Sequence, residues 1–418
     1  MSGSDDVRPR LSTPAMPLRI GGAVVPGILV RLVASGVAET QSELVAVTGM
    51  ARSSCAAAIG TLVDGGVLRY SGIKYGHGRG RPAERLRLAT TLGRVLAVDM
   101  RPDSARLAVH DLGQRRLAAH TVSLDVSTGP ARTLEVLVRA ARELAAGRPA
   151  DDEQTGDGDP VGPLLAAAVA VPAPVDPARG VFVRPPIMPG WDGYPVAAEL
   201  RAALGCPVVV ENDSTVRALG EARYLPPDQS PLVFVDIHTG IGSGLVTAAG
   251  EQYLGAQGGA GDIGHIRVPG AGEAPCSCGK TGCVEAVASA PAVLRRLREL
   301  RPDGSPADLD GLYAAIRAGE PDAVRVVRDA AAALGEAIAT VVHILNPARV
   351  ALGGAMTEAS DDVLAVVRSV VYQQALPLAT RNLVLNQSVL GAEAGVLGGV
   401  VLAVEHALAD PALLTAGP

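Results

Sequence analysis

Aromatic side chains are scarce in this chain of 418 residues, in which Phe, Trp and Tyr together make up 2%. The core must therefore be built mainly from Ala, Val and Leu, and recognition of nucleic acid by base stacking on aromatics is disfavoured. Long apolar runs are missing too, since stretches such as residues 164–171 have only the length of a strand. The N-terminus lacks a basic start followed by an apolar run, the pattern of a secretory signal. We therefore expect a cytoplasmic protein without a membrane partner.

Cysteines are few, five in all, which is too small a number for a disulfide scaffold in a chain of this length. Three of them cluster, and with one histidine they form a tetrad that closes within nineteen residues: His265, Cys276, Cys278 and Cys283. Three thiolates and one imidazole suit a closed tetrahedral site for structural Zn²⁺, with no position left open for water. The sequence thus predicts a structural zinc, with Cys55 and Cys206 as buried free thiols.

Net positive charge is confined to the N-terminal part of the chain. Residues 22–90 carry eight Lys/Arg and four Asp/Glu, whereas the whole chain has a net charge of −6. A basic head on an acidic body indicates that only the head meets nucleic acid. We predict a flexible arm over residues 1–21, where the sequence has no periodicity, a DNA-binding head over 22–90 and a ligand-binding body over 91–418.

The head has the pattern of a winged helix-turn-helix. Two helical segments joined by a Gly turn lie between Glu43 and Val63, and two short strands flanking a Gly- and Arg-rich loop follow them. A recognition helix reads base edges with its first turn, and a wing reaches a phosphate or the minor groove. The predicted DNA contacts are Arg52, Ser53 and Ser54 in the helix and Arg79 and Arg81 in the wing. A module that serves packing or protein contacts is the alternative.

The body has the pattern of two related α/β lobes. Three strands in a meander, then a helix and a further strand, follow Thr91, and a similar order begins near Leu232. Such a repeat predicts two lobes with a ligand cleft between them.

Several motifs in the body resemble the ROK family, whose members are repressors, open reading frames and kinases. The most specific is Gly261-Asp262-Ile263-Gly264-His265 followed by the Cys276–Glu285 segment. Glu211-Asn212-Asp213 before a helix, the 239–244 turn and Asn346-Pro347 leading to Gly353-Gly354 match as well. The resemblance implies a ribonuclease-H-like, actin-like two-lobed fold. Family members with a winged helix are typically repressors released by a sugar, and those without it are typically sugar kinases.

The resemblance also implies a sugar pocket, lined by Asn212, Asp213, Asp262, His265 and Glu285. Carboxylates and a carboxamide can pair with vicinal hydroxyls, and a mismatched epimer would leave buried groups unpaired. For Asn212-Asp213 a helix N-cap is the alternative, and both roles can hold together. Three departures from the family pattern indicate an unusual ligand or weak affinity: Asp262 replaces the usual Glu, while Ile187 and Thr215 replace common Asn residues.

In a kinase of this family, Asp213 would act as the general base on the sugar hydroxyl. The phosphate turn after the first strand departs from the family's Asp-x-Gly-Gly-Thr and reads Asp99-Met100-Arg101-Pro102-Asp103. Pro102 lacks an amide donor, Arg101 adds bulk and Asp103 repels phosphate. His238 replaces the first glycine of the second phosphate turn. The degenerate loop at Met100–Asp103 predicts that the chain is not an enzyme.

These patterns predict a homodimeric or homotetrameric repressor that reads a palindromic operator through paired heads and is controlled by a sugar effector. An active ATP-dependent sugar kinase with a fused head is the first alternative. An activator, or a scaffold that uses its acidic body to meet a partner protein, is the second.

Overall fold

The computed structural model describes residues 8–14, 24–74, 83–147 and 162–410. The chain forms two compact units. Unit 1 comprises Met1–Val171, Tyr194–Glu211 and Gly399–Pro418, and unit 2 comprises Pro172–Gly193 and Asn212–Gly398. Each unit packs helices against its own sheet, which confirms the predicted mixed α/β class.

The N-terminal part of unit 1 consists of three helices followed by a two-stranded antiparallel hairpin. They are α1 (Val25–Ala34), α2 (Gln41–Thr48), α3 (Arg52–Asp64), β1 (Leu68–Lys74) and β2 (Ala83–Leu88). A capping box fixes the start of α2, where Thr40 Oγ1 accepts from Glu43 N and the Glu43 carboxylate accepts from Thr40 N. Gly49, with a φ of 68°, ends α2 in the left-handed conformation that favours glycine. The predicted order of a helix, a glycine turn and a second helix, followed by two strands, is therefore observed.

The next part of the chain builds the sheet of unit 1. Its elements are β3 (Arg94–Met100), β4 (Ser104–Asp111), β5 (Arg116–Ser123), α4 (Pro130–Ala146), β6 (Leu164–Val171), the short pair β7 (Val175–Asp176) and β8 (Val181–Phe182), α5 (Val196–Leu204) and β9 (Val208–Asn212). The strand order is β5-β4-β3-β6-β9, with β3 antiparallel to β4 and parallel to β6. The predicted meander and its crossover strand are both observed.

The rest of the chain builds mainly unit 2. Its elements are α6 (Asp213–Tyr224), β10 (Leu232–Ile237), β11 (Ile241–Val246), α7 (Glu285–Ala288), α8 (Ala290–Leu300), α9 (Leu309–Arg317), α10 (Pro321–Leu345), β12 (Arg349–Gly353), α11 (Ala355–Ala359), α12 (Asp361–Gln374), α13 (Pro377–Thr380), β13 (Val384–Gln387) and α14 (Ala394–Leu408). The second sheet has the order β11-β10-β12-β13. The third strand of the expected meander is reduced to the single bridge between Val246 and Gln252.

Part of the predicted flexible arm is packed in unit 1. Leu11 is only 5% exposed, Gln114 Nε2 donates to Pro9 O at 2.9 Å, and Ser12 N donates to Glu405 Oε1 at 2.5 Å. Residues 8–14 of the predicted arm are therefore anchored by contacts within unit 1. One apolar side chain and main-chain hydrogen bonds suffice to dock the segment, and neither produces a periodic pattern.

Within the described residues, one helical segment, Gly391–Leu408, is long and apolar enough by length and composition to cross a membrane. Of this segment, 61% is buried inside the protein, as is typical of a core helix.

Candidate functional site

Four side chains of unit 2 converge as the sequence predicts: His265, Cys276, Cys278 and Cys283. Their candidate ligand atoms all lie within 4.8 Å of one another. Cys278 Sγ lies 3.8 Å from Cys283 Sγ, and Cys276 Sγ lies 3.6 Å from His265 Nδ1. The ligands come from a short 3-10 turn and a loop closed by the main chain, in which Cys276 N donates to Lys280 O at 2.9 Å.

These two distances fit zinc. Zn–S bonds of about 2.3 Å and Zn–N bonds of about 2.1 Å in a tetrahedron give S···S edges of about 3.8 Å and S···N edges of about 3.6 Å. Burial, reinforced by the two neighbouring thiols, raises the pKa of the Cys283 thiol to about 12, so that a bound cation is needed to hold it as a thiolate near neutral pH. The four residues can therefore hold a metal ion whose chemistry is structural, since they fill all four positions.

Glu285 connects this cluster to strand β11. Its Oε1 accepts from Ser277 Oγ at 3.0 Å, and its Oε2 accepts from Ile241 N at 3.0 Å. A Cβ added at Gly240 would lie 2.9 Å from Glu285 Oε2, so a side chain there would press on the carboxylate. The Glu285 carboxylate is thus fixed between the cysteine loop and the start of β11.

Asp262 and His265 lie next to each other on the same side of the cluster. His265 Nε2 is 4.0 Å from Asp262 Oδ1, while His265 Nδ1 faces Cys276. Partial loss of hydration raises the pKa of Asp262, and the charge of Glu285 adds to this while His265 and Lys280 oppose it. The arrangement leaves the Asp262 side chain 61% exposed and able to meet a ligand.

The N-terminus of α6 holds the other two predicted sugar residues. Asn212 Oδ1 accepts from Ser214 N at 3.1 Å and from Thr215 N at 3.2 Å, which makes Asn212 the N-cap considered above. Asn212 Nδ2 donates to Ala173 O at 3.2 Å. Asp213 is 7% exposed, and its Oδ1 accepts from Ser214 N at 2.8 Å.

Strand β11 brings the two groups of residues into one region of unit 2. Ile241 at its start contacts Glu285, and a Cβ at Gly264 would overlap Ile241 O. A Cβ at Gly242 would overlap Ser214 Oγ, so glycine there lets the start of α6 approach the strand closely. The pattern of glycines in β11 therefore serves helix packing, which the sequence motif alone did not reveal.

The first phosphate turn, in unit 1, is closed by its own main chain. Arg101 N donates to Ser104 O at 2.7 Å, and Pro102 has no N–H to offer. The carbonyls of Pro102 and Asp103 accept from Val126 N and Leu124 N, both at 3.0 Å. Two of the amides that could cradle a phosphate at this turn are thus engaged or missing.

The second phosphate turn, in unit 2, is closed in a similar way. His238 N donates to Gly240 O at 3.0 Å, and Ile241 N donates to Glu285. Ile187, another departure from the family pattern, is 44% exposed, and Thr215 is 5% exposed.

The start of α3 presents the predicted base contacts. Arg52, Ser53 and Ser54 are exposed. Gln41 Nε2 donates to Arg52 O at 3.2 Å and so ties the first turn of α3 to α2. Arg79 and Arg81 lie outside the described residues.

Two contributors were not anticipated from the sequence: Gln41, the first residue of α2, and Ser277, which lies between two cysteines. Gln41 acts through its hydrogen bond to Arg52, and Ser277 acts through its hydrogen bond to Glu285. A polar residue inside a known motif is the only signal that points to Ser277.

Comparison with known proteins agrees with this geometry. The ROK family model matches residues 95–406. A glucokinase of Thermotoga maritima is 31% identical over 310 residues, which are 71% of this chain and 96% of the enzyme. The DNA-binding transcriptional dual regulator NagC of Escherichia coli is 30% identical over 260 residues, which are 60% of this chain and 63% of NagC.

A solved structure of a ROK family transcriptional regulator, described as a homologue of the Escherichia coli Mlc protein, is similar over nearly the whole chain. It covers 94% of this chain and 98% of its own, with a TM-score of 0.76 and 25% identity. The family model spans about three quarters of the sequence and includes every residue of the metal cluster. The chain therefore belongs to the ROK family.

Proposed function

We propose that this chain is a transcriptional repressor of carbohydrate-metabolism genes whose affinity for operator DNA is controlled by a bound sugar or sugar derivative. The observation that carries the proposal is the share of this chain that each kind of relative matches. The regulator structure is similar over 94% of the chain, whereas the glucokinase, matched over 96% of its own length, accounts for only 71% of this chain. The three helices and hairpin of residues 24–74 and 83–88 precede the residues that the family model matches.

The DNA-binding role is supported by the exposed first turn of α3. Arg52 offers a guanidinium suited to a guanine edge, and Ser53 and Ser54 offer hydroxyls to either base or phosphate. Arg79 and Arg81 complete the proposed contact set from the wing loop. We assign residues 22–90 to DNA binding and 91–418 to ligand binding, in a cytoplasmic homodimer or homotetramer whose paired heads match a palindromic operator.

The sugar role is supported by the polar groups gathered around β11. The five proposed sugar contacts are Asn212, Asp213, Asp262, His265 and Glu285. His265 would join the zinc, held with Cys276, Cys278 and Cys283, to the sugar, so ligand occupancy would be felt by the cysteine loop. Coupling to DNA requires that the sugar bind the DNA-competent and the incompetent states with different affinity.

A sugar kinase with a fused head is the second candidate, favoured by the glucokinase similarity and by the buried Asp213 at the start of α6. The engaged amides of Arg101 and His238 weigh against it, because phosphate binding needs free main-chain donors. Purified protein with ATP and a hexose panel separates the two candidates. No turnover is expected, and turnover that Asp213→Asn abolishes would establish the kinase instead.

The repressor proposal is tested by selecting DNA from a random pool with the full-length protein and then by a reporter assay. Deletion of the gene should raise expression from promoters that carry the selected sequence. Unchanged expression, or lower expression as for an activator, would contradict repression.

A further inference from the structure

A nearly buried carboxylate lies against the β1–β2 hairpin. The side chain of Glu39 is only 11% exposed. Arg85 Nη2 lies 2.8 Å from Glu39 Oε1 and 2.7 Å from Oε2, and Lys74 Nζ lies 3.2 Å from Oε2. Arg87 Nη2 is 4.0 Å from Oε1. One carboxylate therefore faces three cations of the hairpin.

The partners of Glu39 lie at the end of β1 and near the start of β2. Lys74 is the last residue of β1, and it pairs with Ala83, the first residue of β2. Arg85 follows two positions after Ala83. A single side chain thus contacts the last residue of β1 and a residue near the start of β2.

The main chain of Glu39 is fixed as firmly as its side chain. Its N–H donates to Glu43 Oε2 at 2.9 Å, within the capping box of α2, and its carbonyl accepts from Leu86 N at 2.6 Å. Lys74 Nζ also lies 2.8 Å from Glu43 Oε1. The cluster therefore joins the start of α2 to both strands of the hairpin.

The cations around Glu39 keep its carboxylate ionised, and the carboxylate in turn offsets their positive charge. Burial acts to raise the pKa of Glu39, but the hydrogen bonds and charges of Arg85 and Lys74 outweigh it and hold the pKa below its usual range. The ionised carboxylate in turn neutralises cations that would otherwise attract phosphate.

We propose that Glu39 is a positioning residue for DNA recognition: it fixes the β1–β2 hairpin against the start of α2 and withdraws Lys74 and Arg85 from indiscriminate phosphate binding, which raises the preference for specific over non-specific DNA. The inference rests on the proposed DNA-binding function. The proposed role of Glu39 differs from that of the exposed Arg52, because Glu39 acts through neighbouring side chains and does not itself contact DNA.

The test compares Glu39→Gln with Glu84→Gln. Glu84 is an exposed carboxylate on β2, so each variant removes one negative charge, from the hairpin itself in Glu84→Gln and from the residue that faces the hairpin in Glu39→Gln. Affinity is measured for DNA selected from a random pool by the full-length wild type and for a scrambled duplex of equal length, each over a series of salt concentrations.

Glu39→Gln should lower the ratio of specific to non-specific affinity at least about tenfold and steepen the salt dependence for the scrambled duplex by about one to two counterions. Glu84→Gln should leave the ratio unchanged. Equal ratios in the two variants would overturn the inference. A wild type that selects no DNA would contradict the proposed function itself.

A second variant keeps the test valid if Glu39→Gln fails to fold. Lys74→Gln removes one partner while the bond to Arg85 remains, and circular dichroism confirms the fold. A lower specificity ratio with unchanged non-specific affinity is expected. If Lys74→Gln instead lowers both affinities by the same factor, Lys74 is a phosphate contact and is not withdrawn by Glu39.

Discussion

Cys278 Sγ and Cys283 Sγ lie 3.8 Å apart, the separation expected for two thiolates on one tetrahedral zinc. His265 and Cys276 complete the cluster, and Cys276 Sγ lies 3.8 Å from Glu285 Oε1. The metal cluster and the proposed sugar site are therefore parts of one structure, and a change in either should be detected in the other.

Removing one cysteine ligand should cost both metal and stability. We expect Cys278→Ser to lower zinc content well below about one ion per chain and to lower Tm by at least about 5 °C, because metal-binding free energy is folding free energy at such a site. Elemental analysis and calorimetry measure the two quantities. Cys206→Ala, which removes a buried thiol elsewhere, should keep its zinc. Full metal content in Cys278→Ser would show that the tetrad is misassigned.

Substitutions of Asn212 and Asp213, at the start of α6, should separate helix capping from ligand binding. Asn212→Ala removes the N-cap and should cost about 1 kcal/mol of stability without any sugar. Asp213→Asn keeps an oxygen for Ser214 N, so it should mainly abolish the stabilisation that a sugar gives, about 2.7 kcal/mol at a hundredfold excess over Kd. Thermal shift with a sugar panel measures both effects. An undiminished sugar shift in Asp213→Asn would remove Asp213 from the site.

The first turn of α3 should set sequence preference. Arg52→Ala should weaken binding to the selected DNA by about 1–3 kcal/mol and relax the preference at one base position, while zinc content and Tm stay unchanged. The matched control is Arg139→Ala, which removes an exposed guanidinium from α4 in the body. Equal weakening in both variants would indicate a general effect of charge and no base contact.

A buried histidine should make the protein sensitive to acid. Burial, with a smaller effect of Arg116, lowers the pKa of His110 to about 4. Between pH 6.5 and pH 4 the unfolded chain binds a proton that the folded chain does not, so stability falls by about 3 kcal/mol as the pH drops through this window.

The matched variants for this prediction are His110→Gln and His120→Gln, the second at an exposed position on β5. His110→Gln should lose less stability than the wild type over the same pH range in chemical denaturation at saturating zinc, and His120→Gln should follow the wild type. Parallel curves for all three proteins would contradict a neutral buried His110.

Local signals predicted most of the fold and the metal site. The glycine turn at Gly49 marks the end of α2, and the tetrad closes within one short segment. Two features escaped sequence reasoning because they depend on contacts between distant residues. Glu39 meets Lys74 and Arg85 only after β1 and β2 pair, and Leu11 is buried only when residues 8–14 dock. Neither contact produces a periodic pattern in the sequence.

The central claim, that a sugar controls DNA binding, is tested most directly by fluorescence anisotropy of the selected DNA duplex. The full-length, zinc-loaded protein is titrated onto the duplex at fixed salt in the presence of hexoses, pentoses and N-acetylhexosamines. We predict that one sugar class shifts the apparent Kd at least about fivefold, the lower end of typical allosteric coupling, and that Asp213→Asn abolishes the shift. Binding curves that superimpose for every sugar would contradict the account.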